Sequence, residues 1–189
     1  NIEDQNNGEG PLCGFAHDAS AGDFDDDGDM DIFACNMILV NNGLGEFTIH
    51  PFIGIDWYYS HMSPMSSLLT DLNNDGYDDI VFWNFDNRFL FESQPEEGTI
   101  LLSNNSADVA NWQELELPKG PFAINRNKYN HAASGDLNQD GFNDVVVSVT
   151  RDDPYYEGAY IQILINDQTG NLIDSTSAHF PNQSRLDNH

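Results

Sequence analysis

One ten-residue stretch occurs three times in this chain and constrains its fold more than any other feature. It reads DFDDDGDMDI from residue 23, DLNNDGYDDI from residue 71 and DLNQDGFNDV from residue 136. The shared pattern is D-x-[DN]-x-D-G-x-x-D followed by an apolar β-branched residue, and we number its nine motif residues as positions 1 to 9. The glycine at position 6 predicts a sharp turn where a Cβ would obstruct the backbone. The apolar residue at position 2 predicts an anchor in a core.

The side-chain oxygens at positions 1, 3, 5 and 9, with the backbone carbonyl of position 7, can converge on one hard cation. Calcium takes about six to eight oxygen ligands in a flexible geometry. A single acidic turn would be an ordinary solvated loop, but three copies in register predict three calcium sites. The predicted metal-site residues are Asp23, Asp25, Asp27, Asp29, Asp31, Asp71, Asn73, Asp75, Tyr77, Asp79, Asp136, Asn138, Asp140, Phe142 and Asp144.

The loops are not EF-hands, because an EF-hand needs a bidentate Glu at position 12 and flanking helices. Position 12 is instead Ala34, Phe82 or Val147. A dockerin-type loop would lead into an amphipathic helix, whereas these loops lead into short runs rich in β-branched and aromatic residues. Such runs are typical of strands.

Each motif lies in a plan of four antiparallel strands, with the loop between strands one and two. The predicted strands are 15–21, 32–35, 37–40 and 46–49, then 66–70, 80–83, 99–102 and 113–117, then 131–134, 145–149, 159–165 and 172–175. This predicts an all-β chain of three β-propeller blades at about 12–56, 62–118 and 128–178, with a lead-in at 1–11 and a linker at 179–189. A propeller typically has about four to eight blades. We therefore expect a partial propeller, completed by further blades on the same precursor or on another chain.

At this point the chain resembles the FG-GAP/VCBS repeat family, the calcium-loop blades of integrin-like β-propellers. The matching segments are residues 22–32, 40–47 and 135–141, and the second copy departs by having Thr70 where the others have Gly22 and Gly135. The resemblance extends over roughly residues 12–178. It implies propeller blades, bound calcium and an extracellular setting, and it says little about the ligand.

The charge of the chain excludes some partners. The chain has six Lys and Arg residues and 32 Asp and Glu residues, for a formal net charge of −26. So much acid repels nucleic acid and anionic membranes, and no apolar stretch is long enough for membrane insertion. Millimolar calcium occurs outside cells, so we expect a secreted or cell-surface protein. The chain opens without an initiator Met or a signal peptide, which suggests a mature, trimmed or partial chain.

Cys13 and Cys35 are the only cysteines. A hairpin centred near Asp27 would place Cys35 opposite about Ala19 rather than opposite Cys13. A disulfide requires close Cα atoms, so this register disfavours a bond between the two, although an oxidising compartment would permit one.

A blade meander puts the calcium loops at one end and the long connections 50–62, 84–98, 118–130, 150–158 and 178–189 at the other. All six basic residues and many aromatics fall in these connections, where binding residues concentrate on rigid scaffolds. An aromatic ring can cover a sugar face while Arg pairs with an anion. The alternative is that these side chains pack on their own loops. The candidate ligand-binding residues are Trp57, Tyr58, Tyr59, Arg88, Arg126, Lys128, Tyr129, Arg151, Tyr155 and Tyr156.

We therefore expect a non-enzymatic recognition or adhesion module that binds a polysaccharide, including an acidic one, or a cell-surface protein. No nucleophile elbow, phosphate loop or His-Glu zinc motif occurs. One alternative is the propeller portion of a polysaccharide lyase or hydrolase, with Arg126, Lys128, Tyr129 or His61 supplying the base or neutralising charge. Another is a purely architectural part of a large adhesin.

Overall fold

The computed structural model describes residues 17–34, 37–51, 65–83, 98–121, 127–151 and 159–181. These ranges contain twelve strands, one 3₁₀ turn at Val109–Asn111 and one short helix. The strands are β1 (Ala19–Gly22), β2 (Asp31–Ala34), β3 (Met37–Asn41), β4 (Phe47–Pro51), β5 (Ser66–Thr70), β6 (Asp79–Trp83), β7 (Gly98–Leu102), β8 (Gln113–Glu116), β9 (Asn127–Gly135), β10 (Asp144–Arg151), β11 (Ala159–Asn166) and β12 (Leu172–Asp174), followed by the helix α1 (Thr176–His179). In the described part of the chain, no helix is long and apolar enough to cross a membrane.

The strands form three sheets of four, each in the order of the sequence. The first sheet is β1-β2-β3-β4, the second is β5-β6-β7-β8 and the third is β9-β10-β11-β12, and neighbouring strands are antiparallel. This confirms the all-β prediction and is consistent with three propeller blades. The described strands form no closed barrel.

Several strand ends differ from the predicted ones. Strand β1 begins at Ala19, which pairs with Ala34 of strand β2, so His17 and Asp18 precede the strand. Strand β9 begins at Asn127 because its register with β10 continues, through one irregularity, as far as Arg151. Cys13 and Cys35 lie outside the described residues, so the expectation about a disulfide stays a prediction.

The last strand is shorter than predicted because the chain turns into α1. Strand β12 ends at Asp174, and the hydroxyl of Thr176 donates a hydrogen bond to Asp174 Oδ1 at 2.7 Å. The same hydroxyl accepts the N–H of Ile163 at 2.9 Å. These bonds turn residue 176 back towards β11 and end the strand.

The core lies between neighbouring sheets. We call the contact between the first and second sheets the first seam, and that between the second and third sheets the second seam. Phe24, Phe33 and Ile38 pack in the first seam with Ile80 and other residues of the second sheet. The second seam contains a larger cluster, which consists of Leu72, Val81, Trp83, Ile100, Leu102, Leu117, Tyr129, Val145, Val147, Val149, Tyr160, Leu164 and Leu172.

The prediction that position 2 anchors each loop in a core holds for two loops and fails for the third. Phe24 and Leu72 are 1% and 0% exposed, whereas Leu137 is 52% exposed. The difference arises because Phe24 and Leu72 are each covered by the following sheet. Among the described residues, no further sheet covers Leu137.

Candidate metal centre

Each motif forms the same loop, which connects the first and second strands of its sheet. In the first loop the position 1 carboxylate of Asp23 accepts the N–H of Asp27 at 3.1 Å and that of Gly28 at 3.0 Å. The equivalent acceptors in the other loops, with their donors, are Asp71 with Asp75 and Gly76, and Asp136 with Asp140 and Gly141. The loop therefore wraps around its own first carboxylate.

The backbone reaches this shape by entering the left-handed region twice. Position 4 has a φ of 58° at Asp26, 59° at Asn74 and 62° at Gln139, and position 6 is glycine with φ between 88° and 96°. Asp and Asn are among the residues that tolerate such a φ best, and glycine adopts it without strain. The predicted sharp turn at position 6 is therefore present in all three loops.

Position 9 is a buried aspartate that holds the loop onto the third strand. Asp79 is 0% exposed, and its Oδ2 and Oδ1 accept the N–H groups of Leu72 and Ser103, each at 2.7 Å. The same two bonds recur at the other position 9 residues, in the pairs Asp31 with Phe24 and Asn41, and Asp144 with Leu137 and Asn166. Every position 9 carboxylate thus accepts two backbone N–H groups, one from its own loop and one from the end of the third strand.

Burial controls the ionisation of this group in the second loop. Desolvation raises the pKa of Asp79 to about 7, although the N–H groups of Ser103 and Leu72 act in the opposite direction. Burial likewise raises the pKa of Asp31. Each carboxylate oxygen keeps a second lone pair, so these groups can contact a cation while they hold the loop.

The first loop contains a convergent set of carboxylates. Asp23, Asp25 and Asp27 each offer an oxygen, and the three oxygens lie within 4.8 Å of one another. Among the described residues, this is the set of acidic, His or Cys side chains that meets the geometry for holding a metal ion. The other two loops carry Asn73 and Asn138 at position 3, where an amide oxygen takes the place of a carboxylate.

Two carboxylate oxygens of the first loop are buried without a hydrogen-bond partner. They are Oδ1 of Asp25 and Oδ1 of Asp29. Burial, reinforced by the charges of neighbouring aspartates, raises the pKa of Asp25 to about 6. Burial and the charge of Asp27 also raise the pKa of Asp29. A buried anionic oxygen that lacks a donor is destabilising, and a cation would supply the missing charge, so these residues fit a bound metal.

The second loop satisfies its position 5 carboxylate with protein donors. Both oxygens of Asp75 accept the hydroxyl of Ser103 at 2.8 Å, and Oδ2 also accepts the N–H of Asn105 at 2.8 Å. Burial alone would raise the pKa of Asp75, but these hydrogen bonds outweigh it and lower the pKa. The side-chain amide of Asn73 donates a further hydrogen bond to Asp75 Oδ2 at 3.2 Å.

The third loop repeats this arrangement at a more exposed site. Asp140 accepts the N–H of Phe142 at 3.0 Å and the side-chain amides of Asn138 and Gln168 at 3.0 and 3.2 Å. The hydrogen bond from Phe142 is the main cause of the lowered pKa of Asp140. Without an ion, the carboxylates of the second and third loops therefore have more hydrogen-bond donors around them than those of the first loop.

The structure tests few of the predicted ligand-binding residues. Trp57, Tyr58, Tyr59, Arg88, Arg126, Tyr155 and Tyr156 lie outside the described residues, as does His61. Lys128, Tyr129 and Arg151 lie on strands β9 and β10 rather than in connecting loops. Tyr129 is 1% exposed and stacks on Trp83 with ring centroids 5.8 Å apart. Its ring therefore belongs to the core of the second seam rather than to an exposed binding face.

Sequence reasoning missed the partners of positions 5 and 9 and the role of position 8. Ser103, which serves both Asp75 and Asp79, follows β7 and carries no motif of its own. Position 8 is Asp78 in the second loop and Asn143 in the third, and both side chains bond to the preceding sheet. The signal for this role in the sequence is that both residues are polar.

The fold and loops define a repeat protein built from four-stranded antiparallel sheets, each opened by an acidic, glycine-containing loop. Residues 71–147, from position 1 of the second loop to strand β10, match the family model described as an FG-GAP-like repeat. This match confirms the resemblance over these residues. Among curated proteins, none matches the chain.

Proposed function

We propose that the three loops bind calcium and that the chain is an extracellular, calcium-stabilised β-propeller module. The observation that carries the proposal is the first loop, where three carboxylates converge and Asp25 Oδ1 is buried without a donor. A hard cation of flexible coordination satisfies such an oxygen set. Because the three loops share the same backbone shape, the proposal extends to the second and third loops.

The bound ion is structural in this proposal. Its ligands would be the carboxylates and amide oxygens at positions 1, 3, 5 and 9 with the carbonyl of position 7, and it would neutralise their mutual repulsion. Binding to the folded loop alone stabilises the fold by mass action. Calcium removal is therefore expected to lower the unfolding temperature.

The test is calorimetric titration of calcium into the chelator-treated chain and into two matched variants. Asp27→Asn removes a converging carboxylate at position 5, which is aspartate in all three loops, and is expected to remove one binding event. Asp26→Asn makes the same change of charge at position 4, which lies outside the ligand set and tolerates its positive φ as Asn. We expect it to bind like the unmodified chain, and equal losses in both variants would contradict the assignment.

We further propose that the end opposite the calcium loops recognises a polysaccharide or a cell-surface protein. The support is the antiparallel strand order, which separates the β1–β2 and β3–β4 turns from the long connections between the other strands, where the sequence has Arg88, Arg126 and several of the candidate aromatic residues. The proposal is tested by binding to an array of neutral, uronate and sulfated glycans, with Arg88→Ala and Arg126→Ala as variants. Weaker binding to acidic glycans in these variants supports it, and unchanged binding contradicts it.

A further inference from the structure

The second loop contacts the first loop through its position 8 residue, Asp78. Oδ2 of Asp78 accepts the N–H of Asp23 at 2.8 Å, and the N–H of Asp78 donates to the Asp23 carbonyl at 2.9 Å. A Cβ on Gly22 would lie 2.0 Å from Asp78 Oδ2, so this close approach requires glycine. Asp23 is position 1 of the first loop. A pair of hydrogen bonds therefore connects a predicted ligand of the first site to a residue that lies between positions 7 and 9, two predicted ligands of the second.

The third loop contacts the second loop at the same two motif positions. The side-chain amide of Asn143, at position 8 of the third loop, donates to the carbonyl of Asp71 at 3.0 Å and to Thr70 Oγ1 at 3.1 Å. Asp71 is position 1 of the second loop. In the other direction, the side-chain amide of Asn74 in the second loop donates to the carbonyl of Gly141 in the third at 3.0 Å. Each of these two loops therefore holds part of the backbone of the other.

One buried side chain, Asn166, joins the second and third loops a second time. Asn166 is 2% exposed, and its N–H donates to Oδ1 of Asp144, position 9 of the third loop, at 2.9 Å. Its side-chain amide donates to the carbonyl of Leu72, position 2 of the second loop, at 2.7 Å and to that of Asn143 at 3.0 Å. A single residue thus binds backbone of both loops and a predicted metal ligand of one.

We propose that these contacts make calcium binding at neighbouring loops cooperative. Asp78 couples the first and second sites, and Asn143 and Asn166 couple the second and third. The inference rests on the proposed calcium binding and adds how the sites influence one another. An ion that orders the ligands of one loop also orders the residues of the next loop that are bonded to it. The next loop then loses less conformational freedom when it binds its own ion, so its affinity rises.

The sign of the effect separates this mechanism from the charges of the ions. Two bound cations repel each other, so direct electrostatic interaction makes the second ion bind more weakly than the first. Coupling through ordered backbone acts in the opposite direction. A second ion that binds more tightly because a neighbouring loop is occupied therefore identifies coupling through the protein.

The test is calorimetric calcium titration of chelator-treated chains that keep one or two intact loops. Position 5 is substituted in the other loops, by Asp27→Asn, Asp75→Asn or Asp140→Asn, and the number of ions bound confirms which loops are empty. The product of the two binding constants in the Asp140→Asn chain is expected to exceed the product of the single-loop constants by about fivefold or more. The Asp75→Asn chain is the control, since its first and third loops share no hydrogen bond among the described residues, and we expect no excess there.

Two variants of equal charge test the role of Asp78. Asp78→Ala removes the acceptor of the Asp23 N–H, whereas Asp78→Asn keeps an oxygen in its place. Each is introduced into the Asp140→Asn chain and into the matching single-loop chains. Asp78→Ala is expected to remove the excess and Asp78→Asn to keep most of it. No excess in the parent Asp140→Asn chain, or an excess that Asp78→Ala leaves unchanged, would overturn the proposal.

Amide hydrogen exchange gives a readout at the contact itself. In the Asp27→Asn chain, whose first loop is empty, calcium at the second loop is expected to slow the exchange of the Asp23 N–H, which donates to Asp78. Asp78→Ala is expected to abolish this protection, and an Asp23 N–H that exchanges equally with and without calcium would overturn the coupling. Single-loop chains that bind no calcium would overturn the calcium sites and this inference with them, whereas binding without an excess overturns this inference alone.

Discussion

The buried carboxylate of Asp79 accepts the backbone N–H of Ser103 at 2.7 Å across 24 residues of sequence. With its second bond, to the N–H of Leu72, it connects the start of the second loop to the end of strand β7. The residue that the motif predicts as a metal ligand is therefore also a structural acceptor. This double role leads to distinct predictions with and without calcium.

Replacing Asp79 is expected to destabilise the chain even in chelator. Asp79→Ala leaves two buried N–H groups unpaired, at a cost of roughly 2–4 kcal/mol in the free energy of unfolding. Asp79→Asn keeps one acceptor and is expected to lose less. Urea unfolding in chelator measures both variants, and no loss in Asp79→Ala without calcium would mean that the residue acts through the ion alone.

The first loop should respond to neutralisation in opposite directions with and without calcium. Asp25→Asn removes the ionised, donor-free Oδ1, so in chelator the variant is expected to be as stable as the parent or more stable. In calcium it is expected to be less stable than the parent, because a loop with one ligand charge fewer binds the ion more weakly. Thermal unfolding in the two buffers measures the reversal, and a variant that is less stable in both would contradict it.

The pH dependence of stability should also change sign with calcium. The folded pKa values of Asp25 and Asp79 are raised from 3.8 to about 6 and about 7. Folding therefore takes up protons at these groups, and their contribution to stability is fully present below 3.8 and is lost as the pH rises through 6 and 7. In chelator the unfolding temperature is expected to fall over this range.

Calcium favours the ionised carboxylates, so in its presence the fall is expected to disappear or reverse. Calcium affinity at the first loop is expected to weaken as the pH drops below about 6, the pKa of Asp25. A scan of unfolding temperature against pH in both buffers checks this. A chelator curve that stays level or rises across the window would contradict the raised pKa values.

Two glycines with nearly the same φ separate backbone strain from steric contact. Gly28 has a φ of 88° and open space around a Cβ, so Gly28→Ala is expected to cost about 1 kcal/mol from the left-handed backbone alone. Gly170 has a φ of 86°, and its Cβ would lie 2.5 Å from Leu102 Cδ2. Gly170→Ala is therefore expected to cost clearly more in urea unfolding, and equal losses would contradict the packing of Leu102 in the second seam.

The sequence predicts the local part of this architecture well. Within the loops, the bonds of Asp23 to Asp27 and Gly28 span four and five residues, so the motif spacing alone indicates them. Strand order also follows from the sequence, because each meander connects adjacent runs. The match of residues 71–147 to the FG-GAP-like repeat model agrees with this interpretation.

The long-range contacts could not be predicted in the same way. Asp78 reaches Asp23 across 55 residues, and Asn143 reaches Thr70 across 73. The partners are mostly backbone groups, which every residue possesses, so only the register and the packing of the sheets identify them. Tyr129 was expected in a binding loop for a related reason, since the length of β9 depends on its pairing with β10.

Native mass spectrometry of the full chain in calcium-containing buffer counts the ions that the three loops hold. Three calcium ions are expected on each 21.2 kDa chain, with one fewer for Asp27→Asn and an unchanged count for Asp26→Asn. A chain that carries no calcium under these conditions would rule out calcium binding by the loops, and the three acidic loops would then be turns held by their own hydrogen bonds.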